Sequence, residues 1–333
     1  MTPMRFQSAL LAMTIGFGSM TVLATSVADA EAQGDAAAVI AEARRALGGE
    51  QKLDAVQAFS VEGSFRRMMG PRQLEGALEL IAQRPDKMRR IEDMGIGGMT
   101  GGPSIERVMT LNGERGWDES NQRGGGGGGM MMRMGPGPGG PGGPGGPGGA
   151  SGEPPSPEQV EKFRGRMLKQ EFDRWMFAFF VSSSQAIAHV GTAQAPDGTA
   201  DVLEIKDDRG QPVRLFVDQQ THLPLMLTFQ TVRPRVMTVG GPGGHGASGV
   251  PGAPAAPGGG QRPDPETIRK QVEAQGPPPP ATATMRFSDY KAVSGVLLPH
   301  RIEQSIGDEP TEELVVEKFR LNPSVKADLF EKK

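Results

Sequence analysis

The side chains able to do chemistry are few and scattered. His189, His222, His245 and His300 stand singly, without the spacing by which a zinc ion gathers ligands. Cysteine is absent, which excludes thiol catalysis, disulfides, cysteine-held metals and a lipid-modified N-terminal cysteine. The run Met130 to Met134 (MMMRM), with Met94 and Met99, offers thioether sulfur of the kind that suits Cu(I), but it sits in a glycine-rich tract, where a drifted low-complexity loop accounts for it. No HExxH, GxSxG or Walker pattern is present. The run Gly124 to Gly129 lacks the lysine and the strand-to-helix context of a phosphate cradle. The carboxylate pairs Asp207-Asp208 and Glu312-Glu313 fall at expected turns, where they would be solvated. The sequence assigns no catalytic residue, no metal site and no cofactor.

What remains is apolar patterning. From Met285 to Phe330, apolar residues recur at spacing two (Met285 and Phe287, Ile302 and Ile306, Val315, Phe319 and Leu321), broken at Gly295 and at Gly307-Asp308. That predicts a three-strand antiparallel meander with one apolar face, which needs a larger sheet to pack on. The rest of the chain supplies it. Phe59, Val61 and Phe65 alternate with polar residues; so do Leu74, Leu78, Leu80 and Ala82, and Arg84-Pro85-Asp86-Lys87 turns them into a strand with Met88 and Ile91. Asn112-Gly113 joins strands over 105–111 and 115–119, a strong hairpin signal. Further strands follow over 188–192 and 202–206, then through Val213, Leu215 and Val217, and through Leu225, Leu227 and Phe229.

Outside the Gly/Pro-rich tracts, two longer helices and one short helix are expected. Val39, Ile40, Ala43 and Leu47 share a helical face that ends at Gly48-Gly49, a left-handed C-cap, and a short turn of helix follows over 50–56. Ser156-Pro157-Glu158-Gln159 reads as a capping box opening a helix to about Val181, with Val160, Phe163, Met167, Phe172, Trp175, Met176 and Phe179 as its apolar stripe. Lys162, Arg166, Lys169 and Arg174 fall mostly elsewhere on it. The fold class is mainly β (α+β): a curved antiparallel sheet of about 11–12 strands with helices covering its concave side.

The ends and tracts set the organisation. Met1 to Arg5, the apolar stretch from Ala9 to about Leu23 and Ala28-Asp29-Ala30 read as a secretory signal with cleavage expected after Ala30, so residues 1–30 are the expected signal peptide and the periplasm the expected destination. Residues 31–123 carry the N-terminal helix and the first half of the sheet, 156–239 the covering helix and middle strands, and 281–333 the C-terminal strands. Residues 124–155 and 240–280 are Gly/Pro-rich insertions, the first expected to be disordered because it has no apolar payload to offset ordering entropy, the second with a short helix over 265–274. Thus 31–333 is one folded domain with two insertions. A formal net charge of -3 favours neither nucleic acid nor an anionic membrane as partner.

Three stretches carry a family resemblance: Ala41 to Leu53 (AEARRALGGEQKL) with Phe59 to Gly63 (FSVEG), Phe216 to Leu225 (FVDQQTHLPL), and Phe287 to Pro299 (FSDYKAVSGVLLP). They resemble bacterial outer-membrane lipoprotein-sorting-type proteins of the LolA-like superfamily. The resemblance implies an incomplete barrel whose apolar hollow receives acyl chains under a helical lid. It makes Phe59, Val61, Phe65, Leu78, Leu80, Leu215, Leu225, Leu227 and Phe229 sheet-face candidates for the ligand, with Trp175, Met176 and Phe179 on the covering helix. The expected function is therefore a non-enzymatic periplasmic binding protein for a lipid or acylated protein, with other envelope proteins and peripheral membrane contact as further partners. The alternative is an interaction or sensory module whose sheet has a filled core and no ligand.

Overall fold

A computed structural model describes residues 36–69, 72–95, 104–123, 156–195, 198–233 and 279–332. The expected signal peptide, the Met130 to Met134 run, the insertion 124–155 and the helix expected over 265–274 lie outside them.

The described chain opens with helix α1 (36–47) and α2 (Glu50–Asp54). Five strands follow: β1 (Ala58–Met69), β2 (Arg72–Gln83), β3 (Lys87–Gly95), β4 (Ser104–Asn112) and β5 (Arg115–Arg123). Helix α3 (Pro157–Phe180) leads to β6 (Ala188–Ala195), β7 (Gly198–Lys206), β8 (Pro212–Asp218), β9 (Pro224–Val232), β10 (Pro280–Val293), β11 (Val296–Ile306), β12 (Glu309–Leu321) and a closing 3-10 turn, Ala327–Phe330. All twelve strands form one sheet in the order β5-β4-β3-β2-β1-β12-β11-β10-β9-β8-β7-β6, and every neighbouring pair is antiparallel. The sheet does not close into a barrel: β5 and β6 are its two edges. The expected C-terminal meander is β10-β11-β12, and it joins the N-terminal half through β1, with Phe59 opposite Leu321 and Val61 opposite Phe319.

This order dictates the position of α3. The helix leaves the β5 edge and must deliver the chain to the β6 edge at the far side of the sheet, so it crosses the concave face, about 36 Å for 24 residues at 1.5 Å rise. It packs most closely on β5 and also on β3, β4, β8 and β9, elements of both halves. Its start is fixed by the expected capping box: Ser156 Oγ accepts from the Gln159 N–H, and Gln159 Oε1 accepts from the Ser156 N–H. At its end Val181 takes a left-handed conformation, and Arg44 Nη1 of α1 donates to the Phe180 carbonyl at 3.1 Å, satisfying one of the free C-terminal oxygens.

The apolar stripe of α3 differs from the expected one. Gly165, Leu168, Phe172, Trp175, Met176 and Phe179 are buried at i, i+3, i+4 spacing, whereas Met167 is 51% exposed. At 100° per residue Met167 points about 140° away from Phe172, so counting it in the stripe joined two faces of the helix. The expected stripe omitted Leu168 and also Gly165, whose lack of a side chain is used. A Cβ there would lie 2.0 Å from the Glu114 carbonyl oxygen, and one on Gly116 would lie 2.7 Å from the Gly165 nitrogen. The two glycines let the helix touch the β4-β5 hairpin backbone to backbone. Gly165→Ala is therefore expected to destabilise by about 1–3 kcal/mol despite the better helix propensity of alanine, read as a lower urea midpoint; an unchanged or raised midpoint would remove the contact from the account.

Gly48 is held by the same kind of approach. It takes a positive φ of 135°, and a Cβ there would meet the Gly295 carbonyl oxygen at 2.3 Å, so α1 ends directly on the β10-β11 turn. On the outer face of β3 and β4, Phe330 is buried, with its carbonyl accepting from Asn112 Nδ2 at 3.1 Å and the Leu329 carbonyl accepting from Arg89 Nη1 at 3.0 Å.

Candidate functional site

The inner sheet face changes character along the strands. Going along β1, Phe59, Val61 and Phe65 give way in the same phase to Arg67; along β3, Met88 gives way to Arg90 and Glu92; back along β12, Leu314 to Glu312; along β11, Ile302 to Gln304. One half of the concave side is therefore apolar and the other charged.

The apolar half is filled. Phe179 of α3 stands edge-on to Phe59 at 5.9 Å and to Phe319 at 5.5 Å between centroids, with Trp175 at 4.9 Å, Phe180 at 6.3 Å and Phe287 at 6.5 Å. Such pairs add to the area they bury. Of the sheet residues expected to line a cavity, Phe59, Val61, Phe65, Leu78, Leu80, Leu215 and Leu227 belong with Trp175, Met176 and Phe179 to one buried cluster, and Phe229 packs against its margin. Met94 belongs to the same cluster. Leu225 departs from the expectation: it is 40% exposed. Val217 pairs with Pro224 and Phe216 with Met226, so Leu225 is the extra residue of a bulge and loses the phase that it would share with Leu227.

A hollow lies over the charged half. At about 280 Å³, it has Met109, Trp175, Phe229 and Met285 as its apolar wall. Its polar wall holds Arg67, Arg90, Arg107 and Arg174 against Glu92, Glu171 and Glu312, with Gln304 beside them. Arg90 donates to Glu92 at 2.9 Å, to Glu171 at 2.6 Å and to Glu312 at 3.4 Å; Arg67 donates to Glu312 at 2.6 Å and to both oxygens of Glu92 at 2.8 and 3.1 Å. The indole N–H of Trp175 donates to Glu171 at 3.3 Å, so the helix is tied into the same network.

Burial alone would raise the Glu92 carboxyl, but the Arg67 hydrogen bond and the charges of Arg90, Arg67 and Arg107 bring it down to about 2. Glu171 follows the same logic: burial opposes, yet Arg90 and Arg174, with hydrogen bonds from Arg90 and Trp175, hold it below the usual carboxylate range. Burial works against the Arg90 guanidinium too, and Glu171, Glu92 and Glu312 outweigh it, so its proton is held more firmly than in water. Glu92, Glu171 and Arg90 are therefore held in their charged forms.

Sequence reading missed this constellation. Glu312 was expected at a solvated turn and instead lies inside β12 with its side chain 9% exposed, bound by two arginines. The signal was present in the phase of the strands: Arg67, Arg90, Glu92 and Glu312 occupy core positions of the two-residue period, where a charge needs a partner. The remaining sequence candidates lie apart from one another. His189 faces Asp201 at 3.2 Å, His222 lies 3.5 Å from Glu42, and His300 Nδ1 is 3.0 Å from the Leu298 carbonyl. Among the described residues no three His, Cys, Asp or Glu side chains are grouped to hold a metal ion, and no helix is long and apolar enough to cross a membrane.

No family model and no curated protein matches the chain. Solved structures similar to it include a DUF1329 family protein from Desulfovibrio piger, at 10% identity and TM-score 0.42 over 89% of this chain and 97% of the other. A LolA superfamily protein from Nitrosomonas europaea is similar at 12% identity and TM-score 0.41, over 89% and 97%. An outer membrane lipoprotein-sorting protein domain from Vibrio parahaemolyticus is similar at 10% identity and TM-score 0.38, over 88% and 94%.

Proposed function

We propose that the protein is a non-enzymatic periplasmic binding protein for a lipid or acylated protein, holding an acyl chain in the hollow between α3 and the sheet. The observation that carries this reading is the position of the hollow. It lies under helix α3, which crosses the open side of an unclosed sheet, with Trp175, Phe229, Met109 and Met285 as a ready apolar wall. Burial is the mechanism, at about 0.8 kcal/mol for each methylene taken out of water. At about 280 Å³ the hollow is at the small end of ligand pockets, which run roughly 300–1,000 Å³, so a single chain is the occupant that fits.

The test is mass spectrometry of lipids extracted from the purified protein, with displacement of a fluorescent fatty acid as the solution readout. Co-purifying acyl lipid is expected, and Met109→Trp, which puts an indole into the hollow, is expected to lose it while remaining folded. Absence of lipid together with no probe binding would contradict the reading.

A second reading is favoured by the continuous ring cluster from Phe59 through Phe179 to Phe319, which fills the apolar half. On that reading the domain is an envelope interaction or sensory module and the hollow is solvent beside an ion-pair network. It predicts a lipid-free protein.

A further inference from the structure

Every carboxylate in the wall of the hollow is engaged, and one cation is left over. Glu92 and Glu312 are bound by Arg67 and Arg90, Glu171 by Arg90 and Trp175, and Arg107 pairs outwards with Asp118 at 3.3 Å. Arg174 has no hydrogen bond and no ion pair among the described residues. Its guanidinium lies over the Phe229 ring, 4.2 Å from the centroid, and faces the hollow. Burial is the largest influence on it and lowers its pKa, and the more distant charges of Glu171, Asp173 and Asp207 do not make up the difference. A half-buried guanidinium, stacked on a ring and given no acceptor among the described residues, is an incomplete site. Its planar fork of N–H donors matches the two oxygens of a carboxylate or phosphate. The lining as a whole agrees, with four arginines against three glutamates.

We infer that Arg174, set by Phe229, is the head subsite for a single-chain anionic amphiphile whose tail lies along Trp175, Met109 and Met285. The inference rests on the acyl-binding reading above and adds the charge of the ligand. Carboxylate and phosphate heads share the required chemistry, a planar or tetrahedral oxyanion at the end of an apolar chain. The head completes the hydrogen bonding of Arg174 and the tail covers the apolar wall, so neither half suffices alone.

The experiment measures calorimetric affinities of the full-length protein for dodecanoate, dodecyl phosphate, dodecan-1-ol and inorganic phosphate, with Arg174→Gln and Arg174→Lys alongside. Both anionic amphiphiles are expected to bind at least about tenfold more tightly than the alcohol, a difference of about 1.4 kcal/mol. R174Q is expected to bring them down to the affinity of the alcohol, and R174K to retain part of the preference. The stronger of the two anions identifies the head. If the alcohol binds as tightly as the anions, or R174Q changes nothing, the head subsite is refuted while acyl binding stands. If inorganic phosphate binds as tightly as dodecyl phosphate, the site takes free anions and the tail has no part. If none of the four binds, the acyl-binding reading and the subsite fall together.

Discussion

Glu92→Gln is expected to cost about 3–5 kcal/mol of folding stability, the usual consequence of removing one charge from a buried network and stranding its partners. Glu92 is 1% exposed and accepts from Arg67 through both oxygens and from Arg90 through one. The substitution leaves two guanidinium groups in the hollow with only Glu312 and Glu171 to balance them. Urea denaturation measures the loss; a change below about 1 kcal/mol would mean that the network is hydrated and contributes little, as exposed pairs do. The same carboxylate makes stability depend on pH. Its folded pKa of about 2 lies below the ordinary value of 4.5, so its contribution is fully present above about pH 4.5 and is lost as pH falls towards 2. A depression of that size corresponds to about 3 kcal/mol. Glu171 is shifted in the same direction and adds to the acid sensitivity. In Glu92→Gln the stability curve is expected to be flatter across that acid range than in the parent.

Phe179→Ala is expected to be comparably severe, about 3–5 kcal/mol. The ring is 1% exposed and contacts Phe59, Trp175, Phe180, Phe287 and Phe319, so its removal opens a space walled by residues that come from three separate strands and the helix itself. Rigid sheet positions on three sides cannot collapse into the gap. A loss under about 1 kcal/mol would show that α3 reseats itself on the sheet and that the ring cluster is not what anchors it.

The two-residue period made the sheet legible because it is local. Phe59, Val61 and Phe65 announce a strand whatever pairs with them, and the β10-β11-β12 meander is readable from Met285, Ile302 and Phe319 with glycines at its turns. The start of α3 was readable for the same reason, since a capping box is written in four consecutive residues. What was not readable depends on partners far away in sequence. Arg67 and Glu312 are 245 residues apart, and as single letters in alternating strands they look like solvated charges. Only their phase betrayed them, and apolar pattern-matching skips charged letters. Gly165 looks like a flaw in a helix until the Glu114 carbonyl is seen against it, and Leu225 looks like core until the bulge opposite Val217 is counted. The place of the hollow depends on such distant partners too. The greasy letters of both halves do converge under Trp175, but they fill the space there, and the hollow opens where the strands turn charged.

The most direct test of acyl binding at the hollow uses Trp175, one of two tryptophans in the chain and the one in its wall. In a Trp117→Phe background, titration with a bromine-labelled fatty acid below its aggregation threshold should quench Trp175 emission and saturate at one molecule per protein. Emission that stays constant across that titration would place no acyl chain against Trp175 and would contradict the account.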